Sequence, residues 1–222
     1  NSGETRRVFV DTHVHTLASY DAELPPERLL DRARTAGLDA VVVTDHDTVA
    51  GVDAVAARAA SRDIITIPGC EVSTADGHLL AIGVDTAPER GRSLAETVGV
   101  IHEQGGLAVV PHPFQRSRHG VSRATLRRTS AVDGIEIYNA HTLTNLRNRQ
   151  AESFAAGGDY PAFAGSDAHR ASGVGHAATA VALTGDGPVT ADRIVSAMRA
   201  GQTAAVWQQA AKWECLTKAV ES

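Results

Sequence analysis

Lysine is almost missing from this 222-residue chain, which has only Lys212 and Lys218 and no basic run. With a formal net charge of −5 as well, the clustered cationic surface that grips duplex DNA non-specifically is absent, so no duplex binding is expected. Cysteine is scarce too. Cys70 and Cys215 stand far apart and make no disulfide framework, which points to a reducing compartment, with cytoplasm as the expected location. Aromatic residues make up 4%, too few for a stacking groove along single-stranded nucleic acid. No apolar run approaches the roughly 20 residues of a bilayer span, so no membrane contact is expected. The opening NSGETRR lacks the apolar core of a signal peptide, and Asn1 to Gly3 are left out of the fold reading.

A hydrophobic content of 43% is enough for a full core. RRVFVDTH, DAVVVTDH, IITIPG, HLLAIGV, LAVVPHP, VDGIEIYNA and PAFAGSDAH read as strands, with TAVALTG as a last one. Between them, PPERLLDRARTAGL, TVAGVDAVAARAAS, SLAETVGVIHEQGG and TLTNLRNRQAESFAAGG read as helices, and TADRIVSAMRAG follows with Thr190 as its N-cap. Alternation of this kind predicts a mostly parallel sheet, covered or closed. With no internal repeat, linker or low-complexity tract, the chain reads as one domain over 1–222. Its core spans about 8–184, and a helical segment with Trp207 and Trp213 covers about 190–220.

The chemistry-bearing residues fall at strand ends. His13 and His15 close the first strand, and Thr44 to Asp47 (TDHD) close the second. Gly69 to Glu71, Pro111 to Pro113 and Gly165 to His169 close later ones. In parallel α/β folds these ends converge on one face, so residues distant in sequence meet in space. Residues two apart on a strand point the same way, so His13 and His15 are placed to grip one ion, with Asp167 and His169 repeating the device. Imidazoles mixed with carboxylates suit Zn, Mn or Fe rather than Ca or Mg. His102 reads as a surface or packing residue and His176 as a loop residue. His119 sits in the arginine-rich loop, and Cys70 reads as a small buried hydrophobe.

The ordered set DTHVHTLASYD, VVVTDHDTVAG, IPGCEVST, GHLLAIG, VVPHP, GIEIYN and FAGSDAH, from about Val8 to Thr184, resembles the polymerase-and-histidinol-phosphatase (PHP) domain family. That resemblance implies a metal-dependent phosphoesterase on a distorted (β/α)7 barrel, similar to a TIM barrel. It implies up to three divalent cations, Mn, Fe or Zn, in a trinuclear centre. One ion would be held by His13, His15, Glu71 and Asp167. A second would share Glu71 with His78 and His112, and a third would use Asp21, His46 and His169. The rival amidohydrolase pattern commonly bridges its metals with a carboxylated lysine on a central strand. Both lysines here lie in the tail, whereas Glu71 is in place to bridge.

The implied reaction is hydrolysis of a phosphate ester by a metal-bridging hydroxide, with Glu71 as the bridge and Asp45 or a metal-held water as the proton source for the leaving group. Arg116, Arg118, Arg170 and His141 are the candidates for holding a small phosphorylated substrate. Two other readings remain: a nuclease acting on the ends of short nucleic acids, and a non-catalytic module stabilised by metal. Substrate identity and oligomeric state are left open.

Overall fold

In a computed structural model, which describes residues 5–129, 131–142 and 144–207, the first apolar run forms β1 (Thr5–Val14), buried from Val8 onward. β1 pairs in parallel with β2 (Ala40–Val43), and β2 pairs in parallel with β3 (Ile65–Ile67). On its other side β1 pairs antiparallel with β9 (Ala177–Thr184), whose far edge carries β10 (Thr203–Trp207). A second five-stranded sheet runs in order through β4 (Gly69–Thr74), β5 (Gly77–Ile82), β6 (Leu107–Val110), β7 (Gly134–Asn139) and β8 (Ala162–Gly165).

The helices follow the capping signals. α1 (Pro26–Ala36) begins behind Pro25 and stops where Gly37 turns left-handed at φ 78°. α2 (Val52–Ala59) starts after Gly51, and α3 (Leu94–Glu103) opens on a capping box between Ser93 and Glu96. α4 (Arg123–Arg128), α5 (Leu146–Gly157) and α6 (Ala191–Arg199) complete the set among the described residues. No described helix is long and apolar enough to cross a membrane.

Strand alternation sorts the core into an inside and two outer layers. Val8, Val10, Ala40, Val42, Leu80 and Ile82 share an interior cluster with Leu107, Val109 and Phe163, and α6 adds Ile194, Ala197 and Met198. The opposite faces meet helices. Phe9, Val41 and Val43 pack with α1 and α2, while Cys70, Leu79 and Ala108 pack with α3, α4 and α5. The two sheets meet at single bridges, Val14 with Ala168 and His46 with Glu71. The ring is therefore barrel-like but its ladder is interrupted at both junctions.

Three features depart from the sequence reading. The sheets are mixed rather than mostly parallel, because β4 and β5 are joined by the two-residue turn Ala75–Asp76, too short for a crossover helix. The arginine-rich loop around His119 runs into α4, a helix the sequence reading did not include, capped by the Ser122 side chain. After α6, Gly201 at φ 70° ends the helix, and Thr203–Trp207 pairs with the free edge of β9 instead of continuing helically. Trp213, both lysines, Cys215 and the rest of 208–222 lie outside the described residues.

Gly165 holds the junction between the sheets. A Cβ there would lie 2.5 Å from His13 Cβ and 2.8 Å from Glu136 Oε1, both on buried side chains. Gly165→Ala is expected to destabilise the fold by about 1–3 kcal/mol, read from denaturant midpoints. A midpoint unchanged from the parent would mean that the two sheets do not approach this closely.

Candidate metal centre

The centre is built from strand ends whose direction is set by two irregularities. Along β1, Phe9 faces the outer layer while Val8 and Val10 face in, so unbroken alternation would send His13 and His15 outward. The register of β1 against β2 shifts between Asp11 and Val14. Val14 consequently faces the outer layer and both imidazoles turn inward, the re-aiming that a β-bulge performs. His112 and Asp167 follow β6 and β8 at φ 29° and 55°, conformations that non-glycine residues seldom adopt.

Glu71, 1% exposed, occupies the middle. Its Oε1 lies 2.9 Å from His78 Nδ1 and 3.0 Å from His112 Nε2. Its Oε2 lies 3.3 Å from His13 Nε2, His15 Nε2 and His46 Nδ1. One carboxylate thus faces five imidazoles, with each oxygen serving a different group. Asp167 Oδ1 lies 3.7 Å from His13 Nε2, 3.5 Å from His15 Nε2 and 3.5 Å from His169 Nδ1. On the outer side Asp21 Oδ2 is 3.3 Å from His46 Nε2 and 3.2 Å from His169 Nε2. All nine residues named as ligands in the sequence reading therefore surround one space.

Several of these atoms are buried without a hydrogen-bond partner among the described residues: His15 Nε2, His46 Nδ1 and Asp167 Oδ1. Orphaned polar atoms cost about 1–3 kcal/mol each, so convergence of imidazole nitrogens and carboxylate oxygens without bonding geometry fits a cation site. Overlapping groups of three or four donors lie within cation-holding reach. Two examples are His13–His15–Glu71 and His15–Asp21–His46–His169.

Charge balance tells the same story. Burial alone would raise the Glu71 carboxyl, but the imidazoles, His13 and His112 foremost, hold it well below the usual carboxylate range. Asp167 is likewise held low against burial by His13, His141 and His15. Burial works against charge on His15 as well, yet Asp167 and Glu71 raise it to about 9. At the outer edge burial pushes His46 and His169 down.

A surrounding layer orients the ligands. Glu136, 1% exposed on β7, meets His13 Nδ1 at 3.1 Å and accepts from His112 N at 2.7 Å and from Asn139 Nδ2 at 2.9 Å. The sequence reading passed over Glu136, although a lone carboxylate inside the apolar run GIEIY has to be paired to be buried. Asp45, one of the two expected proton sources, is fully buried and engaged in other hydrogen bonds. Its Oδ1 accepts from Thr16 N at 2.6 Å and Ser19 Oγ at 2.7 Å, and its Oδ2 from Thr16 Oγ1 at 2.7 Å. Ser19 in turn meets His15 Nδ1 at 3.1 Å, so Asp45 positions His15 through Ser19.

The substrate candidates separate. Arg118 donates to Asp167 Oδ2 and reaches the centre, with Asn139 Oδ1 at 3.3 Å. His141, 53% exposed at its side chain, has Nδ1 3.1 Å from the Asp167 carbonyl. Arg116 lines a neighbouring cleft instead, and Arg170 pairs with the exposed Glu23 at 3.2 Å. His102 pairs with Asp133 at 2.8 Å, and Cys70 faces the outer layer with burial pushing its thiol up to about 12. Tyr20, missed in the sequence, stacks on His46 with ring centroids 5.1 Å apart and remains 85% exposed.

The centre opens into a pocket of about 170 Å³ that joins two clefts. One, about 1010 Å³, shares Tyr20, His78 and His119 with it; the other, about 630 Å³, shares Asp21, Arg118, Asp167 and His169.

Comparison with known proteins places these features in context. The sequence profile described as the PHP domain matches residues 11–156, and one described as PHP-associated matches 145–203. An uncharacterized protein of Methanocaldococcus jannaschii is 28% identical over 64% of this chain and 87% of its own length. A 5′-3′ exoribonuclease of Haemophilus influenzae is 28% identical over 59% of this chain and 47% of the enzyme. A 3′,5′-nucleoside bisphosphate phosphatase of Chromobacterium violaceum is 37% identical over 35% of this chain and 28% of the enzyme. The fold is shared with a two-domain Bacteroides vulgatus protein containing a predicted PHP-like metal-dependent phosphoesterase. Its TM-score is 0.77 at 21% identity, over 94% of this chain and 68% of that one.

Two outcomes are expected at this centre. Glu136→Gln should weaken metal affinity by about 10–100-fold, measured by metal titration, because His13 loses its charged partner; unchanged affinity would remove Glu136 from the centre. Without cations, the raised His15 stabilises the fold below 6.5, a contribution lost as pH rises through about 9. Glu71 and Asp167, held low, stabilise it above the ordinary carboxylate range and lose that contribution as pH falls. His46 and His169, pushed down by burial, lose stability below 6.5, so chelator-treated protein should melt highest at about pH 6–7 and lower at about pH 9, followed by circular dichroism. A higher melting temperature at the alkaline end would contradict it.

Proposed function

Since this chain belongs to the PHP domain family, we propose that it hydrolyses a phosphate ester of a small molecule with divalent cations held by the nine side chains around Glu71. Members of the family are hydrolases acting on phosphate esters. The observation that carries the reading is the division of Glu71: Oε1 faces His78 and His112, while Oε2 faces His13, His15 and His46. A carboxylate divided in this way would be placed to help hold two cations. His13, His15, Glu71 and Asp167 would hold one ion, and Glu71, His78 and His112 a second. Asp21, His46 and His169 would hold a third. When bound, such ions supply Lewis acidity toward phosphoryl oxygens and bring the pKa of water toward neutrality.

The protein's own groups do the rest. Arg118, anchored by Asp167 and Asn139 and 25% exposed at its side chain, offers its remaining N–H donors to non-bridging oxygens. His141, half exposed in the 630 Å³ cleft, stands where a leaving alcohol would depart and can carry a proton there. Asp45 and Glu136 fix the imidazoles beneath and touch no substrate. We take the chain, 1–222, as a single domain. The relation to a bisphosphate phosphatase supports a small phosphorylated substrate.

A second reading, hydrolysis at the ends of nucleic acids, is favoured by the exoribonuclease relative and by clefts that leave the pocket by different residues. Metal-loaded protein is expected to release phosphate from a panel of nucleotide and sugar phosphates. His13→Asn and Asp167→Asn should lower turnover about 1000-fold with the circular dichroism spectrum retained. Release from labelled oligonucleotides alone would favour the nuclease, and full activity in either variant would overturn the mechanism.

A further inference from the structure

Like β1, the strand β7 carries a register shift, and it turns a non-ligating side chain into the centre. Glu136 stands opposite Phe163 while Tyr138 stands opposite Ala164, so β7 holds one residue more than β8 at this step. The extra residue resets the alternation. Ile135 and Ile137 pack on the outer layer, and Tyr138 stacks on Trp207 with ring centroids 4.5 Å apart. Unbroken alternation would place Asn139 on the outer face with Ile137. Instead Asn139 is fully buried between Glu136 and Asp167.

The Asn139 amide uses its full hydrogen-bonding capacity. Nδ2 donates to Glu136 Oε2 and to Asp167 Oδ2, each at 2.9 Å. Oδ1 accepts from Arg118 Nη1 at 3.3 Å and from His141 N at 3.0 Å. The reverse orientation would set the amide oxygen against two carboxylates and the amide nitrogen against a guanidinium, so only this one is stable. The backbone is clamped too: Asn148 Oδ1 accepts from Asn139 N and Asn148 Nδ2 donates to Asn139 O, both at 3.2 Å. The oxygens of Asp167 are divided as a result. Oδ2 takes Asn139 and Arg118, while Oδ1 faces His13, His15 and His169 and has no hydrogen-bond partner among the described residues.

We propose that Asn139 is a positioning residue for both halves of the site: its amide nitrogen presents Asp167 as a one-oxygen cation ligand, and its amide oxygen holds Arg118 toward the oxyanion. The Arg118 half rests on the phosphoesterase reading; the Asp167 half rests on the donor geometry alone. An amide suits the place because it is neutral and can donate to carboxylates while accepting from a guanidinium. A carboxylate at 139 would face Glu136 and Asp167 with like charge, and an apolar side chain would leave both without a donor. The bulge in β7 is what brings this amide within reach of both groups.

The test compares the full chain with Asn139→Ala, Arg118→Gln and the double variant, each checked for folding by circular dichroism. Mn2+ is titrated onto metal-free protein by calorimetry, and inorganic phosphate onto protein saturated with Mn2+. Asn139→Ala should weaken Mn2+ binding about 10–100-fold. It should also weaken phosphate binding about tenfold, although Asn139 itself touches no phosphate. In the Arg118→Gln background the same substitution should add less than about twofold to the phosphate loss, because that loss runs through Arg118. If the alanine variant does not fold, Asn139→Thr, β-branched and suited to a strand, takes its place with the same expectations. Unchanged Mn2+ affinity, phosphate losses that simply add in the double variant, or failure of both substitutions to fold would overturn the assignment. Both affinities weakened as expected in a protein that hydrolyses no phosphate ester would leave it standing and remove the phosphoesterase reading. A parent that releases phosphate from esters, beside a variant that keeps both affinities, would do the reverse.

Discussion

A single buried carboxylate surrounded by five imidazoles is the constraint on which this structure depends. Removing Glu71 from water costs several kcal/mol unless positive charge or donors surround it, and His13, His15, His46, His78 and His112 supply that surround from the ends of four strands. Each strand must then stop at the right height and turn its last side chains inward. The bulge in β1, the left-handed backbone at His112 and Asp167, and the bare Cα of Gly165 against His13 are local costs accepted for that convergence. The interior cluster beneath, built from Val8, Val10, Leu80, Leu107 and Phe163, provides the rigid base that holds them.

Much of this arrangement could be read from the sequence, for a physical reason. Strands buried on both faces appear as short apolar runs, so a histidine or aspartate at the end of one is conspicuous. His13, His15, His46, Glu71, His112, Asp167 and His169 could be picked out that way. Asp21 stands out as a carboxylate six residues after His15, whereas His78, at the start of the short strand β5, comes only with the family resemblance. What stayed hidden depends on three-dimensional parity. Glu136 faces the centre and Ile135 the outer layer, which only the β7 pairing decides. Asp45 lies beside His46 in sequence but turns to Thr16 and Ser19, which no spacing rule reveals. The antiparallel hairpin and β10 depend on which sheet edge was free. Periodicity says nothing about that.

The surroundings of the centre are as differentiated as the centre itself. On one side Arg118 and Arg170 pair with carboxylates; on the other Arg123 is steadied by the Phe114 and Phe154 rings and Arg147 by the Gln150 amide. Cys70, adjacent to Glu71 in sequence, faces the outer layer with its thiol pushed up to about 12. The donor set therefore stays one of nitrogen and oxygen, without a soft sulfur ligand to change the choice of cation.

The β4–β5 hairpin acts as a reading frame. Glu71 and His78 face the same space only because Glu71 sits opposite Leu80 and Ser73 opposite His78. A slip of one rung would rotate His78 to the helix-covered side and bring Leu79 to the centre, with no ligand type lost from the sequence. Chains that keep all nine residue types but alter the length of this strand pair would thus lose the approach of His78 to Glu71, while remaining indistinguishable by composition from those that keep it.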